Sequence, residues 1–309
     1  MTLADLLQTV RRVEVQTNRL VNDVMVGAYL SHFKGRGMDF EELREYMPGD
    51  DVRDIDWNVT YRMGRVFVKR FREERELGMI LAVDVSASSD FGSVLHSKRE
   101  FAAQVAATLA FSAARNSDKV GLLLFSDRVE LFVPPRKGRR HVLRLIRELL
   151  SFQPAARRTD IPAALNTLNR VLHRRSVIFL LTDFLHSDVG QSTGLSSAPA
   201  ERRGLLRELG LTNSRHDLVC VHLSDPRESE LPRAGLLTVE DAETGELLEV
   251  DSTREATRQI YARVNADRLA DLDRALRQAG VDTLRLSTAE EFAPALQRFF
   301  ETRRGRRRG

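Results

Sequence analysis

Gly78-Met-Ile-Leu-Ala-Val-Asp-Val-Ser-Ala-Ser-Ser89 decides how the chain is read. Met79 to Val83 is an unbroken apolar run with the length and β-branched character of a strand buried on both faces. The run ends in a carboxylate, Asp84, followed by hydroxyls at alternate positions, Ser86 and Ser88, and breaks at Asp90-Phe91-Gly92. Buried parallel strands finish at the rim of a sheet, where open α/β folds bind their ligands. Three oxygen-bearing side chains from one short loop suit a hard cation.

Two other predicted elements carry matching groups. Ser176-Val-Ile-Phe-Leu-Leu181 reads as a second buried strand, and it ends in Thr182-Asp183, again a carboxylate at a C-terminal rim. Between the strands, Arg157-Arg-Thr-Asp-Ile-Pro162 leads into a helical stretch from Ala163 to Leu172, so Thr159 stands just before a helix, where a hydroxyl can cap or ligate. Asp-x-Ser-x-Ser, then Thr, then Asp, each at a rim, is far more specific than any one part. This order resembles the metal-ion-dependent adhesion site of von Willebrand factor A-like domains.

A second block extends the resemblance. Lys34-Gly-Arg-Gly-Met-Asp-Phe-Glu-Glu-Leu-Arg-Glu-Tyr-Met-Pro-Gly-Asp-Asp-Val-Arg-Asp-Ile-Asp-Trp-Asn-Val-Thr60 is similar to the signature of the bacterial domain-of-unknown-function 58 family, which places it immediately before an adhesion-type domain. The likeness runs from about Val13 onward and is densest between Gly35 and Gly92. Tyr61, where relatives often carry a small residue, and Ala87-Ser88-Ser89-Asp90, where many carry Gly-Ser-Met, depart from the pattern without removing an oxygen ligand. The resemblance implies that Ser86, Ser88 and Thr159 bind Mg²⁺ (or Mn²⁺) directly or through water, while Asp84 and Asp183 hold its waters and balance its charge. It also implies a MoxR-type AAA+ ATPase as partner, since such ATPases are commonly encoded beside the family. Maturation or remodelling of a third, unidentified protein is then the expected role.

The rest of the chain alternates helix and strand. An N-terminal helix or pair is expected over Leu3 to Met25, turns over residues 34 to 60, and a strand from Arg65 to Phe71. Beyond Met79, helices are expected at Val94–Ala114, His141–Phe152, Glu201–Leu209, Arg254–Gln278 (closed by Gly280) and Ala289–Phe300. Strands are expected at Val120–Phe125, Val129–Val133, Leu218–Leu223 and Val281–Leu286, with a hairpin over about 236–250 and a loop from Ser187 to Pro199. This alternation predicts a doubly wound, mainly parallel α/β sheet. The expected divisions are an N-terminal extension over 1–75, a von Willebrand factor A-like domain over 76–302 that includes the hairpin, and a disordered basic tail over 303–309.

Composition narrows the function classes. At 42% apolar and 30% charged residues, the chain resembles an ordinary globular protein with a real core. No stretch approaches the roughly 20 apolar residues that span a bilayer. The amphipathic start, carrying Asp5, lacks a signal peptide's apolar middle, so a cytoplasmic protein without direct membrane insertion is expected. Cys220, the only cysteine, excludes an internal disulfide and reads as a small core residue. The net charge of +4 is concentrated in Arg303 to Arg308, read as a solvated end; no aromatic is interleaved there to stack bases, so nucleic acid is not expected as a partner.

Enzymatic readings fare worse. A metal-dependent hydrolase using the same loops is the alternative, but catalysis needs a base against bound water, and no histidine falls in these loops. His96, the nearest in sequence, is placed in the following helix. Gly190-Gln-Ser-Thr-Gly194 mimics a nucleophile elbow, yet it lies within a serine-rich loop rather than between a strand and a helix. The carboxylates around Pro48-Gly-Asp-Asp-Val-Arg-Asp-Ile-Asp-Trp57 lack EF-hand spacing. They read as a structural turn, with Arg44 and Arg53 as ion partners and Trp57 as apolar anchor.

Overall fold

A computed structural model describes residues 38–73, 78–94, 96–185 and 199–306. The chain divides into two compact units, the smaller spanning Phe33–Leu77 and the larger continuing from Gly78.

In the smaller unit, β1 (Met38–Glu45) pairs antiparallel with β2 (Phe67–Glu73) around the short helix α1 (Trp57–Met63). The acidic block is used up in local structure. Asp50 pairs with Arg44 at 2.6 Å and accepts from Met47 N, Asp51 caps a 3₁₀ turn, and Asp56 caps α1 while pairing with Lys69. The expected turns over 34–60 therefore contain a strand. Arg53 serves through its backbone N–H to Asp51. Trp57 is not an anchor: it is 65% exposed.

The larger unit is built on six strands: β3 (Gly78–Asp84), β4 (Lys119–Phe125), β5 (Val129–Arg136), β6 (Ser176–Thr182), β7 (Asp217–Ser224) and β10 (Asp282–Ser287). Their order is β10-β7-β6-β3-β4-β5, all parallel except β5, which folds back antiparallel on β4. This is the doubly wound, mainly parallel architecture that the alternation of elements predicts. The chain steps from β3 to β4 on one side and later to β6 on the other, so the topological switch point lies between β3 and β6. A crevice opens at such a point in this class of sheet.

Helices cover both faces, which is why β3 and β6 are apolar between their ends, from Met79 to Val83 and from Val177 to Leu181. Ile80, Ala82, Ile178 and Leu180 face a core shared with α4 (Ile161–Val171), α5 (Pro199–Arg215) and α7 (Glu255–Gln278). The alanine-rich α2 (Lys98–Arg115) buries Phe101 against Phe292 of α8 (Phe292–Arg306), whose Phe300 packs on Phe179. Another helix, α3 (Arg139–Ser151), lies beside α2. Cys220 is fully buried in the core, as expected, and burial raises its thiol pKa. Gly280 follows α7 at φ +67°, a left-handed conformation in which a side chain is strained. Beyond β7, the single-turn helix α6 (Pro226–Ser229) precedes a hairpin of β8 (Leu236–Glu240) and β9 (Leu247–Asp251).

The expected solvated tail is corrected at its start. Residues 303–306 continue α8, and Arg303 is 8% exposed, paired with Asp217 at 2.6 Å and Asp282 at 2.7 Å. These carboxylates begin β7 and β10, so the arginine staples the last helix to the sheet. The expected N-terminal helices and the Ser192 segment lie outside the described residues. Among the described residues, no helix is long and apolar enough to cross a membrane.

Candidate metal centre

Asp84 ends β3 at the switch point, and Thr182 ends the adjacent β6. Their side chains meet directly, with the Thr182 hydroxyl donating to Asp84 Oδ2 at 2.7 Å. The other oxygen of Asp84 accepts from Ser86 N at 2.9 Å, which turns the chain sharply after the strand. Residues Ala87–Asp90 form a 3₁₀ turn held by Ser89, whose hydroxyl donates to Ser86 O. The turn brings Ser86 Oγ to 3.1 Å from Ser88 Oγ. Neither serine caps α2; Ser97 does, accepting from Glu100 N at 3.2 Å.

Thr159 arrives from a separate loop pinned at two points. Ala87 N donates to Arg157 O at 3.1 Å, and Asp160 N to Ser126 O at 2.8 Å. Asp160 caps α4 itself, so the Thr159 hydroxyl is not needed as a cap; it lies 3.4 Å from Asp84 Oδ2, at the outer limit of hydrogen bonding. The structure thus brings Asp84, Ser86, Ser88 and Thr159 together. Asp183 adjoins them, its carboxylate close enough to the Ser88 hydroxyl to be lowered by it, while its Oδ1 accepts from Leu185 N.

The cluster is buried, with Ser86 at 0% and Asp84 and Asp183 each at 4% exposure. Burial, reinforced by the charge of Asp183, pushes the Asp84 carboxyl up to about 6. Burial is the largest influence on Asp183 and would raise it, but the charge of Lys98, together with the hydrogen bonds from Lys98 and Leu185 N, outweighs burial and holds this carboxyl below its usual range. Asp84 is therefore short of positive charge. The donor set fits a small hard cation: octahedral Mg²⁺ with ligands at about 2.0–2.1 Å holds neighbouring oxygens about 3 Å apart, close to the Ser86–Ser88 separation. Ser86, Ser88 and Thr159 would ligate it, with Asp84 and Asp183 in the outer sphere.

Three participants escaped the sequence reading. Thr182 was visible as the residue before Asp183, and its hydroxyl now joins β3 to β6. Lys98 opens α2 and points inward, its Nζ 2.5 Å from Asp183 Oδ2 and in direct contact with Glu228 of α6. It reaches this position because the preceding loop folds tightly: a Cβ on Gly92 would lie 2.5 Å from His96 O. His96 precedes α2 rather than lying in it, and pairs with Glu100. Among the described residues, the imidazole of His222 in β7 is buried beside Phe184 and lies close enough to Asp183 to feel its charge. Burial and the nearby Arg268 lower its pKa to about 4, so it is neutral.

The profile of the family described as "Protein of unknown function DUF58" matches residues 42–271. The uncharacterized protein Rv1480 of Mycobacterium tuberculosis is 32% identical over 301 residues, covering 97% of this chain and 90% of its own. Among solved structures, the conserved hypothetical protein BatB from Bacteroides thetaiotaomicron aligns over 74% of this chain and 98% of its own at 16% identity, with a TM-score of 0.46. The SpRpn10 VWA domain aligns over 72% of this chain and 94% of its own at 9% identity, with a TM-score of 0.36.

Proposed function

Because the chain belongs to the DUF58 family, whose description assigns no activity, we propose a function from the site itself: a non-enzymatic protein-interaction module. In this reading a metal-ion-dependent adhesion site holds Mg²⁺ or Mn²⁺ and clasps a carboxylate of a partner protein. The observation that carries it is the meeting of three separate segments at the switch point, through the Thr182–Asp84, Thr159–Asp84 and Ser86–Ser88 contacts.

When bound, the ion supplies a positive coordination position for an outside oxygen. The chain's own residues do the rest. Ser86 and Ser88 are held by the 3₁₀ turn, Thr159 by its two backbone anchors, and Asp84 by Ser86 N and Thr182. Thr159 is the least buried of the proposed ligands, so its loop is the side of approach. Exposed Arg157 and Arg158 flank it and favour an acidic partner. The hydrolase alternative needs a base on that side; among the described residues, 84–90, 157–160 and 182–185 hold no histidine, and His222 sits within β7, in register with Thr182, which favours a clasp over catalysis.

The partner we propose is a MoxR-type AAA+ ATPase in the cytoplasm, where the pair would mature or remodel a client protein. Co-purification of the ATPase with the chain is expected in Mg²⁺, with at least a tenfold loss on adding a chelator or on Ser86→Ala. Capture that survives both would remove the metal from the interaction.

A further inference from the structure

We propose that Lys98 is a resident cation of this site, an ammonium that neutralises Asp183 when no metal is bound and shifts to Glu228 when one is. The inference rests on the metal reading above and adds a regulator to it. Four observations carry it.

Lys98 is 1% exposed, and lysine is almost never fully buried unless paired. It stands at the first position of α2, where the helix dipole disfavours a positive charge, so helix stability does not explain its placement. Its ammonium bridges carboxylates from separate segments, Asp183 after β6 and Glu228 in α6. Finally, a cavity of about 10 Å³, the size of one water, is bounded by Lys98, Asp84, Thr182 and Asp183. The ammonium thus borders the same space as Asp84 and Asp183, the two carboxylates placed to balance a divalent ion's charge.

Two cations cannot share Asp183 without cost. A divalent ion arriving at the hydroxyls repels the ammonium, and Glu228 is the acceptor already in contact with it. Glu228 is held for that task. Its carboxylate accepts from Asp225 N in a capping box, and Asp225 in turn accepts from Ser93 N and Ser93 Oγ in the loop after the motif. Lys98 therefore competes with the metal: it keeps the empty site folded and weakens metal affinity.

The test is Mn²⁺ binding to the full chain, by titration calorimetry and electron paramagnetic resonance, for wild type, Lys98→Met and the charge-balanced double variant Lys98→Met/Glu228→Gln. The variants should bind Mn²⁺ at least tenfold more tightly. Their melting temperature should rise with Mn²⁺ by more than that of wild type. A folded double variant whose dissociation constant for Mn²⁺ equals or exceeds that of wild type would overturn the role of Lys98 alone. No Mn²⁺ binding by any of the three at millimolar concentration would overturn both this role and the metal reading.

Discussion

Asp84→Asn is expected to abolish divalent-cation binding, by at least 100-fold, and yet to stabilise the metal-free protein at pH 8. The substitution keeps the shape of the side chain: Oδ1 still accepts from Ser86 N, and the new amide can donate to the Thr182 hydroxyl. What it removes is a buried negative charge. The Asp84 carboxyl titrates at about 6 in the fold against 3.8 for an unperturbed group, because burial and then Asp183 disfavour its charged form. A raised carboxyl pKa means that the folded state holds its proton more tightly than the unfolded chain. Stability from this group is thus full below about pH 4, falls as the pH rises through about 6, and stays low above. Thermal unfolding at pH 5 and pH 8 in chelator should show wild type losing stability between the two and Asp84→Asn losing less. Mg²⁺ should restore wild type at pH 8 and leave the variant unchanged. Identical pH profiles for the two proteins would refute a charge-starved Asp84.

Arg303→Ala should cost about 3–5 kcal/mol, the range for removing one partner from a buried ion pair. The guanidinium ties the end of α8 to the starts of β7 and β10 through Asp217 and Asp282, and stacks 5.5 Å from the Phe299 ring centre. Without it, both acids stay near the sheet edge with less compensation, and the burial of Phe300 against Phe179 loosens. Urea unfolding monitored by circular dichroism gives the measure. A change under about 0.5 kcal/mol, the ordinary range for surface substitutions, would place Arg303 among the solvated arginines after all. Deleting the arginine run to test nucleic-acid binding would confound charge with stability unless Arg303 is retained.

The contrast between Asp84 and Arg303 shows what could be read along the chain. β3 and β6 were legible because strands covered on both faces must be apolar at every position, and a carboxylate closing such a run stands out. Thr159 was legible because a hydroxyl before a helix start is placed by local rules. Lys98 and Glu228 were not: they lie 130 residues apart, and no local pattern encodes their meeting. β1 escaped because Met38-Asp-Phe-Glu-Glu-Leu-Arg-Glu45 is charged and does not alternate, so its partner β2 alone makes it a strand. The start of α2 was open to a closer reading, since Ser97-Lys-Arg-Glu100 is a capping sequence. Trp57 misled because size argues for burial, whereas the short helix that carries it leaves that side to solvent. At the end of the chain, a cluster of five arginines masked the one, Arg303, that folds inward.

Diffraction from crystals of the full chain soaked in Mn²⁺, recorded at the manganese absorption edge, tests the proposed centre most directly. One anomalous peak is expected within bonding distance of the Ser86 and Ser88 hydroxyls, absent from Asp84→Asn crystals treated identically. A site without a peak at millimolar Mn²⁺, or a peak only elsewhere on the protein, would contradict it.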